Sequence, residues 1–496
     1  MGLILFFGLI IAIVWALVAL KYRPSTDGQY HLFPILGYLV ILSGAVFGPE
    51  FFSVSGGPIP ITIDRLLLGG MCALFGVMVL ARRETIFLFN RVDVSVVILM
   101  SILFLSTISH DYTIYKNLPA SRLLFFNLIP LALYFVIRNS RFNDANLKLV
   151  AGGLAGLGIY LSITAIFETR GLGGLVFPRY IMDPEFDEFL GRGRGPFLNP
   201  VSNGVFQVIG LTSLWMWWPN APTRRRVIIL CLAALMCIGI YSTFTRSVWL
   251  GLVAAGFLAV FLPSSRRSKG GMVVAGALAG ILLFPVIGEK LISFKRDTNV
   301  TLTEMQNSAR LRPLFLTVAT RMFADRPLLG CGYGQYAKEK FPYLQDPTSE
   351  QPLSATRGYF QHNIFLAMLA ELGIVGLAAL VFMLAMFARV AILTWNDPTI
   401  PFWRQRFGML LLVFLSNHCV NGMFHEVSII PMENMLMFFL AAIANNVFSQ
   451  HHNALELNGM RAAWYARGQE GMQPQLQPPL AMQRRSTTTT ATAQTR

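Results

Sequence analysis

Apolar runs of about 17 to 25 residues recur along most of this chain, each long enough to cross a ~30 Å hydrocarbon layer as a helix. Inside lipid every backbone polar group must find a partner within the protein, so only helices or closed barrels can span. The runs here are continuous and lack the alternation of barrel strands, so they predict helices. The expected fold is an all-α polytopic integral membrane protein. Composition agrees: 13% of residues are charged and 54% hydrophobic, against about 25% charged in an ordinary soluble domain. That excludes an enzyme built on a single aqueous-facing core, and equally a disordered or fibrous chain.

About 12–13 transmembrane helices are expected, near 2–20, 31–48, 63–81, 92–108, 118–137, 149–167, 201–218, 227–243, 247–263, 272–288, 363–388, 405–422 and 429–448. The net charge of +15 is not gathered into one patch, so nucleic acid is not an expected partner. Instead the basic residues cluster in the connections after odd-numbered spans: Lys21 and Arg23; Arg82, Arg83 and Arg91; Arg138, Arg141 and Lys148; Arg224 to Arg226; Arg266, Arg267 and Lys269; Arg389, Arg404 and Arg406. The positive-inside rule puts those connections and the C-terminal tail in the cytoplasm. No basic residue precedes the first apolar run, which favours a retained helix with its N-terminus outside. The five cysteines show no paired spacing, so neither a disulfide framework nor a zinc site is expected.

Two long connections, about 169–200 and 289–362, both fall on the outer side. Within the second, Leu311, Leu314, Phe315, Val318, Met322 and Phe323 recur at helical spacing with Arg310, Arg312 and Arg321 between them, predicting an amphipathic helix on the outer membrane surface. A glycine-rich turn, Gly330-Cys-Gly-Tyr-Gly334, follows. Residues 1–448 are expected to form the membrane-embedded domain, and the Gln-, Pro- and Thr-rich stretch 449–496 a disordered cytoplasmic tail.

The polar residues left on the outer side carry the functional reading. Arg192 and Arg194 stand in Gly191-Arg-Gly-Arg-Gly-Pro-Phe-Leu-Asn-Pro200, Arg246 in the short turn Ser242-Thr-Phe-Thr-Arg-Ser247, and Arg310 and Arg312 open the amphipathic helix. A guanidinium is planar, permanently charged and grips phosphate oxygens bidentately, so converging arginines suit a lipid-linked pyrophosphate. The alternative for each is snorkelling to headgroups or pairing with an acid. His362, in Tyr359-Phe-Gln-His-Asn363, can take a proton from a hydroxyl nucleophile, or serve as an interfacial structural histidine. His425 and Glu426 form another outer polar pair, while Asp64, Arg65 and Arg122 fit intrabundle ion pairs or interfacial anchors. No P-loop, dinucleotide fingerprint, nucleophile elbow or HExxH motif occurs, and no metal site or cofactor is expected.

These motifs resemble the O-antigen ligase and O-antigen polymerase family of bacterial membrane glycosyltransferases. His362-Asn363, a nine-residue spacer and Gly373-Ile-Val-Gly376 resemble the family's His-Asn and Gly-x-x-Gly pattern. The stretch from Arg312 through Asp325-Arg-Pro-Leu-Leu-Gly330 to Gly334, the turn at Thr245-Arg246-Ser247 and the segment Gly195-Pro-Phe-Leu-Asn-Pro200 resemble three further family segments, in family order. Ser247 replaces the family's glycine after the arginine, and the extra N-terminal span and long tail also depart from its pattern.

The resemblance implies glycan transfer from a polyprenyl-pyrophosphate carrier to an acceptor hydroxyl at the outer face of the bacterial cytoplasmic (inner) membrane. In that reading Arg246 and Arg312 bind the pyrophosphate, with Arg194 or Arg192 adding to the clamp and Arg310 as the alternative to Arg312. His362 is the base of an inverting, metal-independent displacement. The implied partners are the lipid-linked oligosaccharide donor, a glycan, lipid or protein acceptor, membrane lipids and a chain-length regulator. Polymerase is slightly favoured over ligase, since nothing in the motifs demands a lipid A core acceptor. The competing class is a transporter or flippase of lipid-linked glycans, which would place polar groups at mid-membrane in both halves.

Overall fold

The computed structural model describes residues 31–53, 60–81, 84, 86, 89–263, 268, 271–272, 302–345 and 352–469, with the backbone alone at 115–117, 302–310 and 454–469. The expected span near 2–20, and that near 272–288 apart from its first residue, lie outside the described residues. The other expected spans each meet a helix. These are α1 (Leu32–Phe51), α2 (Ile63–Leu80), α3 (Arg91–Ile108), α4 (Ile114–Leu123) continuing through a π-helical turn (Leu124–Leu128) into α5 (Ile129–Arg138), and α6 (Asp144–Thr169). Then follow α7 (Pro200–Trp215), α8 (Thr223–Tyr241) and α9 (Arg246–Phe261) and, after the long connection containing α10 (Leu302–Asp325), α11 (Ile364–Asn396), α12 (Phe402–Gly422) and α13 (Pro431–Gln469). Six helical stretches among the described residues are each long and apolar enough to cross a membrane. The molecule is a polytopic helical membrane protein.

Helix starts are written in the sequence. Asn90 accepts from the amides of Val92 and Asp93 while Asp93 accepts from the Asn90 amide, a complete capping box at α3. Asn143, Asn199 and Asn363 cap α6, α7 and α11, each side chain accepting from first-turn amides. The most buried helices are α12 and α13, whose apolar core also encloses the His418–Glu433 pair at 2.8 Å. Phe407, Phe414, Phe438, Phe439 and the run from Leu436 to Ala444 are all buried.

The two ends of the bundle differ. Connections after odd-numbered spans hold Arg138 paired with Asp93 at 3.3 Å, Arg141 with Glu84 at 3.6 Å and Arg404 with Asp144 at 3.5 Å. Those after even-numbered spans interlock: Tyr180 donates to the Phe47 carbonyl, Gln335 to the Asp111 carbonyl and the Gly193 amide to the Ser242 carbonyl. Both long connections therefore pack onto one end, as loop charge predicts.

Two expectations change. The apolar face of α10 is not laid on the membrane: Leu314, Val318, Ala319 and Met322 form a small core with Cys331, Tyr336, Leu344, Leu353 and Ala370. The periodicity is right, but protein covers the face. At the C-terminus the backbone is helical as far as Gln469, so the first part of the expected disordered tail is helix, and 470–496 lie outside the described residues. The described residues up to Phe448 form one compact unit, and those from Ser449 on belong to a second.

Candidate active site on the interlocked loops

The site is organised around the start of α11. Asn363 caps this helix, accepting from the Phe365 and Leu366 amides at 2.9 and 3.1 Å, and its amide group donates to the Met423 carbonyl at 3.0 Å. Asn363 thus fixes where α11 begins and ties it to the turn after α12. His362, immediately before, takes a left-handed backbone (φ 49°), uncommon outside glycine, which turns its ring against Phe315 of α10 and Tyr359 at centroid distances of 5.4 and 6.2 Å.

Two turns further on, α11 breaks. Gly373 has φ 63° and ψ −160°, a region essentially closed to other residues. The loop after α10 fills the gap. The amides of Ile374 and Val375 donate to the carbonyls of Pro327 and Leu328 at 2.8 and 3.3 Å, and those of Cys331 and Gly332 donate to Ala370 and Glu371 at 3.0 and 2.8 Å. Backbone groups freed by the break are satisfied by the loop, as an apolar environment requires. The approach is close: a Cβ on Gly330 would lie 2.4 Å from the Glu371 carbonyl carbon, and one on Gly373 2.4 Å from that of Leu328. The Asp-x-Pro-Leu-Leu-Gly and Gly-x-x-Gly segments are two halves of one backbone joint.

The break also places Glu371. One carboxylate oxygen lies 3.4 Å from Arg122, and the other accepts from the Gly334 amide at 2.9 Å. Arg122 also pairs with Glu426 at 3.4 Å and lies over the Phe360 ring at 5.0 Å, and all three charged groups are buried. Arg122 is thus an intrabundle ion-pair residue. Burial first, with Glu371 adding to it and Arg122 opposing, pushes the Glu426 carboxyl up to about 7. This triad ties α4, the 330–334 turn, the His362 segment and the turn after α12 to one another. Arg65, by contrast, lies over Phe125 at 4.2 Å.

Arg312 is held by that last turn: its guanidinium lies over the Phe424 ring at 5.0 Å and donates to the Phe424 carbonyl at 3.4 Å. Arg312 acts electrostatically on both Arg246, at the start of α9, and His362. Burial first, then the positive charges of Arg312 and Lys340, hold His362 below its ordinary value of 6.5, so the imidazole is neutral at pH 7 and can accept a proton. Buried Lys340 bonds the carbonyls of Thr356 and Tyr359, which shapes the segment leading to His362. Three residues singled out by sequence, Arg246, Arg312 and His362, therefore share one electrostatic neighbourhood.

The remaining candidates do not join them in the same way. Arg194 is fully buried, paired with Glu168 at 3.5 Å and donating to the carbonyls of Phe186, Glu188 and Ile181, while the Gly195 amide donates to Glu168. Its donors are committed to its own loop, so in this conformation it organises that loop and offers no face to a pyrophosphate. Through the Gly193–Ser242 bond the loop braces the turn that carries Arg246. Arg192 is half-buried over Phe189 at 5.3 Å. Arg310 lies in the first turns of α10, where side chains are outside the described residues. Glu371 and Lys340 were missed from sequence, although a carboxylate inside an apolar run is costly enough to have drawn notice. Among the described residues no group of three or more His, Cys, Asp or Glu converges as a metal-binding set.

The model of the family described as O-antigen ligase matches residues 231–381, the stretch that contains Arg246, Arg312, His362 and both halves of the backbone joint. Over that stretch the chain is similar to the O-antigen ligase family. The O-antigen ligase of Salmonella typhimurium strain LT2 is 25% identical over 248 residues, covering 49% of this chain. The alignment spans 58% of that ligase's own length. The family model thus covers the joint and the neighbourhood of His362, while the buried Arg194 loop and Arg122 precede it in sequence.

Proposed function

We propose that this protein transfers a glycan from a polyprenyl-pyrophosphate carrier to an acceptor hydroxyl at the outer face of the bacterial cytoplasmic membrane. The observation that supports the reading is that Arg312 acts electrostatically on both His362 and Arg246. Arg246 and Arg312 hold the diphosphate oxygens and neutralise the charge that grows as the sugar–phosphate bond breaks. His362 takes the proton of the attacking hydroxyl as the new glycosidic bond forms from the opposite face, which inverts the anomeric carbon. The step needs a base and anion-binding groups, and we assign it no metal. Residues 1–448 are the catalytic unit in this reading, with Arg192 at its margin.

The names of the matching family model and relative favour a ligase, which moves one finished chain, over a polymerase, and the acceptor is then a lipid-borne glycan core. The deciding experiment places purified protein in liposomes with polyprenyl-pyrophosphate glycans and candidate acceptors, with His362→Ala alongside. One discrete conjugate that depends on His362 supports the ligase, and a ladder of lengths means polymerase. Donor crossing the bilayer without a covalent product overturns the enzyme reading in favour of a flippase.

A further inference from the structure

We infer that the turn Pro327–Gly330 is a membrane wedge, with Leu328 and Leu329 inserted among the phospholipid acyl chains of the leaflet on the side of the site. Leu328 and Leu329 are 66% and 67% exposed, the most exposed large apolar residues of the connection between α10 and α11. They do not stand alone. The Leu328 carbonyl is bonded to the Val375 amide, and Ile374 and Val375 are themselves exposed. From there an exposed apolar stripe runs down α11 through Ala378, Val381, Phe382 and Ala385 at helical spacing, interrupted by Arg389 and closed by Ile392. In a spanning helix such a stripe faces lipid.

Length fixes the depth. Ile374 to Ile392 covers about 27 Å at 1.5 Å per residue, slightly less than a ~30 Å hydrocarbon layer. The exposed apolar stripe below the break cannot fill that layer unless Ile374 is already within it. If the segment before Gly373 enters as well, Ile374 lies deeper still. In either register Leu328, whose carbonyl is bonded to Val375, and the adjoining Leu329 share that depth. The exposed ion pair of Arg326 with Glu339, at 3.2 Å, directly precedes the turn and marks its polar rim. The wedge therefore anchors the loop that fills the α11 break, and with it Glu371 and Gly334, at a set height in the bilayer. The inference rests on the chain spanning a membrane and is independent of the proposed reaction.

The test is photocrosslinking in liposomes made of phosphatidylethanolamine and phosphatidylglycerol carrying an alkyne-tagged acyl chain. Benzoyl-phenylalanine replaces Leu329, with the same replacement at Ile374 as the lipid-facing reference and at exposed Arg357 as the aqueous reference. A tagged phospholipid adduct at Leu329 matching that at Ile374, and lost at Arg357, is expected. An Ile374 adduct with Leu329 as silent as Arg357 overturns the wedge. Should the Leu329 replacement fail to accumulate, the same replacement at Leu328 gives the same readout.

Discussion

The joint at Gly373 can be tested with a single methyl group. In Gly373→Ala the new side chain must adopt φ 63° and ψ −160°, at a cost of about 1–3 kcal/mol for a conformation that L-residues avoid. Its Cβ would also stand 2.4 Å from the Leu328 carbonyl carbon, which is backbone and cannot rotate away. Relief requires moving the loop, which weakens the Ile374–Pro327 and Val375–Leu328 bonds at about 0.5–1.5 kcal/mol each. Together these amount to about 2–6 kcal/mol, localised at the break. Thermal unfolding in detergent should show a clear drop in Tm, and amide exchange at Cys331 and Gly332 should accelerate. Gly76→Ala is the control: it lies inside α2 with nothing within 4 Å of its Cβ, so it should be neutral or stabilising by about 0.5–1 kcal/mol. If Gly373→Ala kept wild-type Tm and exchange while Gly76→Ala behaved as stated, the joint would not be the constraint argued here.

His362→Ala should lower transfer by about 10²–10⁴-fold while donor retention on proteoliposomes stays intact, and an active variant would remove the base from the scheme. Arg246→Lys and Arg312→Lys should each weaken donor binding and turnover, because an ammonium cannot grip a diphosphate bidentately; unchanged kinetics would leave both as snorkelling residues. Since His362 titrates below 6.5, its neutral form persists as pH falls to that point, so the acid limb of kcat/KM should lie below pH 6.5. Lys340→Gln removes a positive neighbour and should move that limb to higher pH, and an unmoved limb would separate it from His362. Arg194→Ala should destabilise by about 3–5 kcal/mol by leaving Glu168 buried without its cation, read as lost folded yield; a well-folded variant impaired only in donor KM would return Arg194 to the binding site.

Much of this was legible because hydropathy and capping are local. Runs of apolar residues gave the described spans, and Asn90, Asn143, Asn199 and Asn363 mark helix starts that the structure keeps. What was not legible is non-local. Gly373 and Gly76 look alike inside apolar runs, yet one is a break filled by residues some forty positions earlier and the other an ordinary helix position. Arg194 shows the same limit. An arginine in a glycine-rich outer loop fits a phosphate clamp equally well whether its donors face outward or, as here, its own carbonyls. The apolar face of α10 likewise has one periodicity whether lipid or protein covers it.

A broken helix suits a site of this kind for an electrostatic reason. A reaction on a charged lipid headgroup needs cations at the membrane boundary, where an unpaired charge is expensive and unsupported loops leave backbone groups unsatisfied. The α11 break meets both demands at once. Its freed amides and carbonyls bind the 327–332 loop, and the same loop delivers the Gly334 amide to Glu371. Glu371 and Glu426 then hold Arg122, which fixes the turn after α12, and that turn supplies both the Phe424 carbonyl to Arg312 and the Met423 carbonyl to Asn363. Two carboxylates matched to one buried guanidinium keep the interior side of this end from adding positive charge. Burial first, then the cations Arg312 and Lys340, depress the affinity of His362 for its proton. In the proposed reaction an anionic donor beside Arg312 would offset that charge and raise the affinity of His362 for the proton of an attacking hydroxyl.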